Sequence, residues 1–149
     1  MTDTDTTEFE PDARVKHLST AEIDRIFAYF RQIAQIVGTP RWVLRLDSEP
    51  SDEDAVASIK ANPQRYLADL RVRSGWMHLS VHEKQNTIIH EVCHLLHHRL
   101  DSVVDMLMLA VNQQAWDTFK DAYDREVELI VDQLASTLQD HAAPEWPDS

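Results

Sequence analysis

The amino-acid sequence predicts an α+β domain, in which a small antiparallel or mixed sheet packs on a helical layer. Three observations predict it. Apolar residues recur at three- and four-residue steps over long segments, as on amphipathic helices. Shorter segments alternate every second residue, as half-buried strands do. The two kinds follow one another in the order helix, strand, short helix, hairpin, helices.

The elements follow in order. Residues 1–16 are rich in Thr, Asp and Glu and poor in apolar side chains, so a flexible acidic arm is expected. Ser19 to Glu22 has capping-box spacing, and Ile23, Ile26, Phe27, Phe30, Ile33 and Val37 continue a helical stripe until Gly38 and Pro40 end it. Arg41 to Asp47 alternates, with Trp42, Leu44 and Leu46 on one side of a strand. Ser51 followed by three acids predicts a short helix ending near Asn62-Pro63, because carboxylates favour the positive end of a helix. Tyr66 to Val72 and Trp76 to His82 read as a hairpin around Arg73-Ser74-Gly75.

A helix then starts between Glu83 and Asn86, or as early as the Ser80–Glu83 capping-box pair, and runs to about Leu100. Asp101-Ser102 interrupts, with Ser102 and Asp105 able to cap another helix through Val111. A last helix carries Trp116, Phe119, Tyr123, Val127, Ile130, Leu134 and Leu138 on one stripe. Residues 141–149 are expected to be a flexible tail, with Trp146 packing locally. The whole is one domain over 17–140, since 149 residues can bury a core without disulfides or a structural metal.

A net charge of −12 repels phosphate backbones and anionic lipid heads, so neither nucleic acid nor membrane is expected as a partner. Cys93 is the single cysteine and cannot form an intramolecular disulfide; a buried structural thiol is its expected role. No apolar run is long enough for a bilayer, and the amino terminus has neither a basic start nor an apolar stretch for export. A cytoplasmic location is the expectation.

The chemistry concentrates in His90-Glu91-Val92-Cys93-His94. Side chains four apart on a helix sit one above the other, so His90 and His94 can offer two imidazoles to one tetrahedral zinc. Glu91 lies about 100° around from His90 and about 60° from His94, where it can reach a water at the metal without itself being a ligand. That is the position a general base needs. His97 shares the face, but seven residues of straight helix put it about 10 Å from His90, too far for one ion. Solvated or outer roles are expected for His97 and His98. The metzincin pattern is excluded, because His97 and Leu100 stand where its glycine and third histidine belong.

A catalytic zinc normally has three protein ligands, so a third is needed. Carboxylates on the last helix are the candidates. Asp124, Glu128 and Asp132 share a face with Ala135, whereas Glu126 points about 160° away from Glu128. Glu128 can bind zinc and Asp132 can accept the outer N–H of a ligating imidazole. Glu126 stays open as the alternative ligand, and a merely solvated acidic stripe is the plainer reading of all three acids.

At these residues the chain resembles the gluzincin metallopeptidases, the thermolysin-like class, whose His-Glu-x-x-His is followed on a later helix by Glu-x-x-x-Asp. The matches are His90, Glu91 and His94, then Glu128 and Asp132, and the resemblance spans about residues 66–138. It implies His90, His94 and Glu128 as zinc ligands, Glu91 as base and Asp132 as the group orienting His90. Two departures stand out: Glu128 follows His94 at a longer interval than in thermolysin, and Val127 replaces the asparagine that precedes the glutamate there. In compactness the chain is similar to the small metallopeptidases of phages, prophages and bacterial cytoplasm, including the SprT-like and ImmA/IrrE-like groups, although its negative charge argues against the SprT-like branch, which acts near DNA.

Zinc-dependent hydrolysis of peptide bonds is the expected function, with a peptide or protein as substrate. The strand over 76–82 would border the cleft, and Tyr123, His82 and His97 are candidates to steady the oxyanion, with a structural or solvated role the plainer reading of each. The alternative is a catalytically quiet interaction protein of phage or bacterial origin that keeps the same fold.

Overall fold

A computed structural model describes residues 15–148, so the acidic arm expected over 1–16 lies outside the described residues except for Val15, which is buried, and Lys16. Helix α1 spans Thr20–Ile36. It is followed by strands β1 (Val43–Leu46), β2 (Ala57–Asn62) and β3 (Leu67–Val72), a single 3₁₀ turn at Trp76–His78, and helices α2 (Val81–His94), α3 (His98–Leu107) and α4 (Gln113–His141). The architecture is α+β: a three-stranded mixed sheet and four α-helices among the described residues. None of these helices is long and apolar enough to cross a membrane.

The sheet order is β1-β3-β2. β1 runs parallel to β3 with Val43 opposite Leu67, and β2 runs antiparallel to β3 with Ala57 opposite Val72. The hairpin is therefore β2–β3, not the expected pair around Arg73-Ser74-Gly75. The short helix expected after Ser51 is absent. Its acids form a turn instead, closed by the Ala55 N–H on the Asp52 carbonyl at 3.0 Å and the Ser51 hydroxyl on the Ala55 carbonyl at 2.8 Å. Ala57, Ile59 and Ala61 then turn inward while Ser58, Lys60 and Asn62 face out, the two-residue period of a strand. Pairing along β3 outweighs the local preference of the acids for a helix start.

The strand expected over 76–82 is likewise replaced. Trp76 is fully buried, and its indole N–H donates to Glu22 Oε1 at 2.9 Å, which holds the chain in a tight turn rather than an extended run. Ser80 and Glu83 then form a reciprocal capping box and start α2 at Val81, the earlier of the two expected starts.

Helix α2 stops at His94 rather than near Leu100, and α3 begins at His98. Asp101 and Ser102 thus lie inside a helix, where Ser102 bonds back to the His98 carbonyl at 3.4 Å instead of capping a new one.

Helix α1 places Ile26, Tyr29, Phe30 and Ile33 in the core. The strands add Leu44, Ala68, Leu70 and Val72, and α2 adds Ile88, Ile89, Val92 and Cys93. Burial pushes the Cys93 thiol up to about 11, so it is an inert apolar filler. Asn112 caps α4. The stripe expected on this helix is only partly right: Trp116, Val131 and Ala135 are buried with Val127 and Leu138 beside them, while Ile130 and Leu134 face solvent. Both continuations satisfy helical spacing, and small Ala135 sets the face that meets the core.

Beyond α4 the expected flexible tail is held down. Trp146 packs on Tyr29 with ring centroids 4.9 Å apart, and Gln85 donates to the Pro144 carbonyl at 3.0 Å.

Candidate metal centre

The last two turns of α2 carry His90 and His94 on one face, their ring centroids 4.7 Å apart and their planes at 71°. Helix α4 packs across α2 and delivers Glu128 and Asp132 to the same place. His90 Nε2 and His94 Nε2 are 3.0 Å apart. Glu128 Oε1 is 3.2 Å from His94 Nε2, and its Oε2 is 3.6 Å from His90 Nε2. Donors about 2.0–2.1 Å from a tetrahedral zinc lie roughly 3.3 Å from one another, so these spacings bracket the edge of such a site. His90, His94 and Glu128 are the group of side chains that could hold a metal ion among the described residues.

The hydrogen bonds sharpen the fit. Asp132 Oδ1 lies 3.1 Å from His90 Nδ1, so the proton of His90 belongs on Nδ1 and the lone pair on Nε2. Burial, and then the neighbouring His90 and His97, push His94 down to about 4, which keeps that imidazole neutral. Two imidazole nitrogens and a carboxylate thus face one another at a spacing that one divalent cation can bridge.

Glu91 is only 6% exposed and lines the cleft. Burial first, and the Glu128 charge second, raise its carboxyl to about 7 against a weaker opposing hydrogen bond from the Ile59 backbone. It is a carboxyl able to take and release a proton near neutrality.

The cleft has a volume of about 640 Å³ and is walled by Ala57, Ser58 and Ile59 of β2, not by the segment expected over 76–82. Among the described residues β2 is an edge strand, paired with β3. The sequence signal for this wall was the 57–62 alternation, hidden behind the acids that precede it.

Of the three candidates for steadying an oxyanion, His97 is at the cleft and Tyr123 and His82 are not among its lining residues. The Tyr123 hydroxyl donates to Asp101 Oδ1 at 2.7 Å, and burial followed by that carboxylate raises its pKa. His82 sits at the start of α2, near Gln139 at 3.3 Å and about 18 Å along the helix from His94. His97 lines the cleft, but both its ring nitrogens are engaged, by His94 and by Asp101. Because α2 ends at His94, the straight-helix distance that separated His97 from the site does not apply. Glu126, the alternative ligand, lies beside Arg125 at 3.7 Å on the exposed face of α4. Asp101, read from sequence as a helix break, was missed as a site residue.

Compared with protein-family models, curated proteins and solved structures, the chain matches none of them.

Proposed function

We propose that the chain is a zinc-dependent metallopeptidase of compact, gluzincin-like type and zincin-like fold. The convergence of His90, His94 and Glu128 within ligand spacing, with Glu91 beside them in an open cleft, carries this reading. His90 and His94 would hold the ion through Nε2 and Glu128 through its carboxylate, while Asp132 orients His90. A zinc ion there supplies Lewis acidity, polarising a carbonyl and acidifying water. Glu91 accepts the proton of the attacking water on a carboxylate oxygen and returns it to the amine nitrogen as the peptide bond breaks. The outer edge of β2 offers main-chain hydrogen bonds to an extended peptide, which would orient the substrate across the cleft.

The purified protein incubated with a peptide library should cleave it, and a chelator should stop the cleavage. Peptides that stay intact with a zinc-loaded protein would remove the peptidase assignment. Glu128→Ala should lower zinc affinity at least a hundredfold, since it leaves two protein ligands where a catalytic site uses three. Zinc content unchanged after dialysis against a weak chelator would return the third-ligand role to another carboxylate.

A second reading is a catalytically quiet binding protein. It is favoured by one observation: α3 buries no residue, and Val103, Met106 and Leu109 on it and the turn after it are exposed. The same digestion separates the two readings.

A further inference from the structure

Behind His94, on the side away from Glu128, a chain of polar groups runs out of the site. His94 Nδ1 is 3.0 Å from His97 Nε2. His97 Nδ1 is 3.1 and 3.0 Å from the two oxygens of Asp101. The Tyr123 hydroxyl donates to Asp101 Oδ1 at 2.7 Å. These groups come from the end of α2, the turn after it, α3 and α4, so the chain joins three elements at one carboxylate.

Hydrogen bonding along this chain is anchored at its acceptor end. Asp101 accepts only, so His97 must present a proton on Nδ1. A His97 ring carrying that single proton has a bare Nε2, which can only accept. In that arrangement His94 carries its proton on Nδ1, and its lone pair sits on Nε2, the atom that faces His90 and Glu128. Asp132 does the same for His90 from the opposite side.

We propose that His97, held by Asp101 and Tyr123, is the positioning residue that fixes His94 as an Nε2 ligand, so that each imidazole of the site is locked from outside by a different partner. This rests on the metal-site reading given above. His97 acts on the ion through His94 and is not one of the candidate ligands. The link also accounts for how α3 is tied to the site: α3 contributes no buried side chain, and its Asp101 contacts His97, His98 and Tyr123.

The test is zinc affinity, measured by competition with a chromogenic chelator. His97→Ala should weaken binding about 10–100-fold, the usual cost of losing the outer partner of a ligating histidine. His97→Gln, whose amide oxygen can accept from His94 Nδ1, should recover most of the loss. His82→Ala, which removes a histidine from the far end of α2, should bind as the parent does. Asp101→Asn should weaken binding in the same direction as His97→Ala, and serves if the alanine variant does not fold.

Nitrogen NMR of the zinc-loaded parent should show His94 protonated on Nδ1 in a hydrogen bond to His97. A parent that binds zinc, with His97→Ala binding as tightly or His94 protonated on Nε2, overturns the positioning role and leaves the metal site standing. A parent that binds no zinc overturns both.

Discussion

Glu91→Gln should lower peptide turnover by about 10²–10⁴-fold, the range that a positioned general base contributes, while the protein still holds its zinc. The amide keeps the shape of the side chain but cannot take a proton from water. Glu91 is not a ligand in the proposed site, so the metal has no reason to leave. The change should also leave thermal stability equal or raise it, because a buried carboxylate facing Glu128 is exchanged for a neutral group. Turnover within tenfold of the parent, at equal zinc content, would show that the proton moves by another route.

The largest expected effect on stability lies away from the site. Glu22, 1% exposed, accepts from the Trp76 indole at 2.9 Å and pairs with Lys84 at 2.7 Å and Arg25 at 3.1 Å. It ties α1 to the turn before α2 and to α2 itself. Glu22→Ala leaves Lys84, also buried, without its partner and should cost about 3–5 kcal/mol, as removing one member of a buried pair does. Urea unfolding followed by circular dichroism measures it, and a loss under about 1 kcal/mol would show that water or another acid takes Glu22's place.

The pH dependence follows from the same group. Burial alone would raise the Glu22 pKa, but the hydrogen bonds from Lys84, Trp76 and Arg25 outweigh it and hold the carboxyl below its ordinary range. A group depressed in the fold contributes fully above its unfolded value of about 4.3, and that contribution is lost as pH falls through the folded value. The acid limb of the stability curve should therefore flatten in Glu22→Ala, while the neutral region shifts down as a whole.

Glu22 also illustrates what was legible in the sequence and what was not. Ser19 to Glu22 has capping-box spacing, and half of the box forms: the Glu22 N–H donates to Ser19 Oγ at 3.1 Å. The other half does not, because a buried ammonium 62 positions along the chain attracts the carboxylate more strongly than a local amide. At Ser80 to Glu83 no such competitor exists among the described residues, and the reciprocal box closes.

Helix α1, β1 and β3 were readable because their apolar periods run uninterrupted. β2 was not, since its weak alternation of small residues follows an acidic stretch that locally resembles a helix start. Among the candidate ligands, helical spacing alone put His90 and His94 on one face and Glu91 beside them, because that geometry lies within a single helix.

Residue type and spacing thus determined the α+β class, the helical histidine pair and the shared face of Glu128 and Asp132, since each depends only on rotation and rise along one element. Tertiary structure decided which carboxylate meets the histidines, that β2 walls the cleft, and that His97 and Asp101 stand behind His94. Those relations depend on where α2 ends and how α4 lies across it, and packing between distant segments sets both.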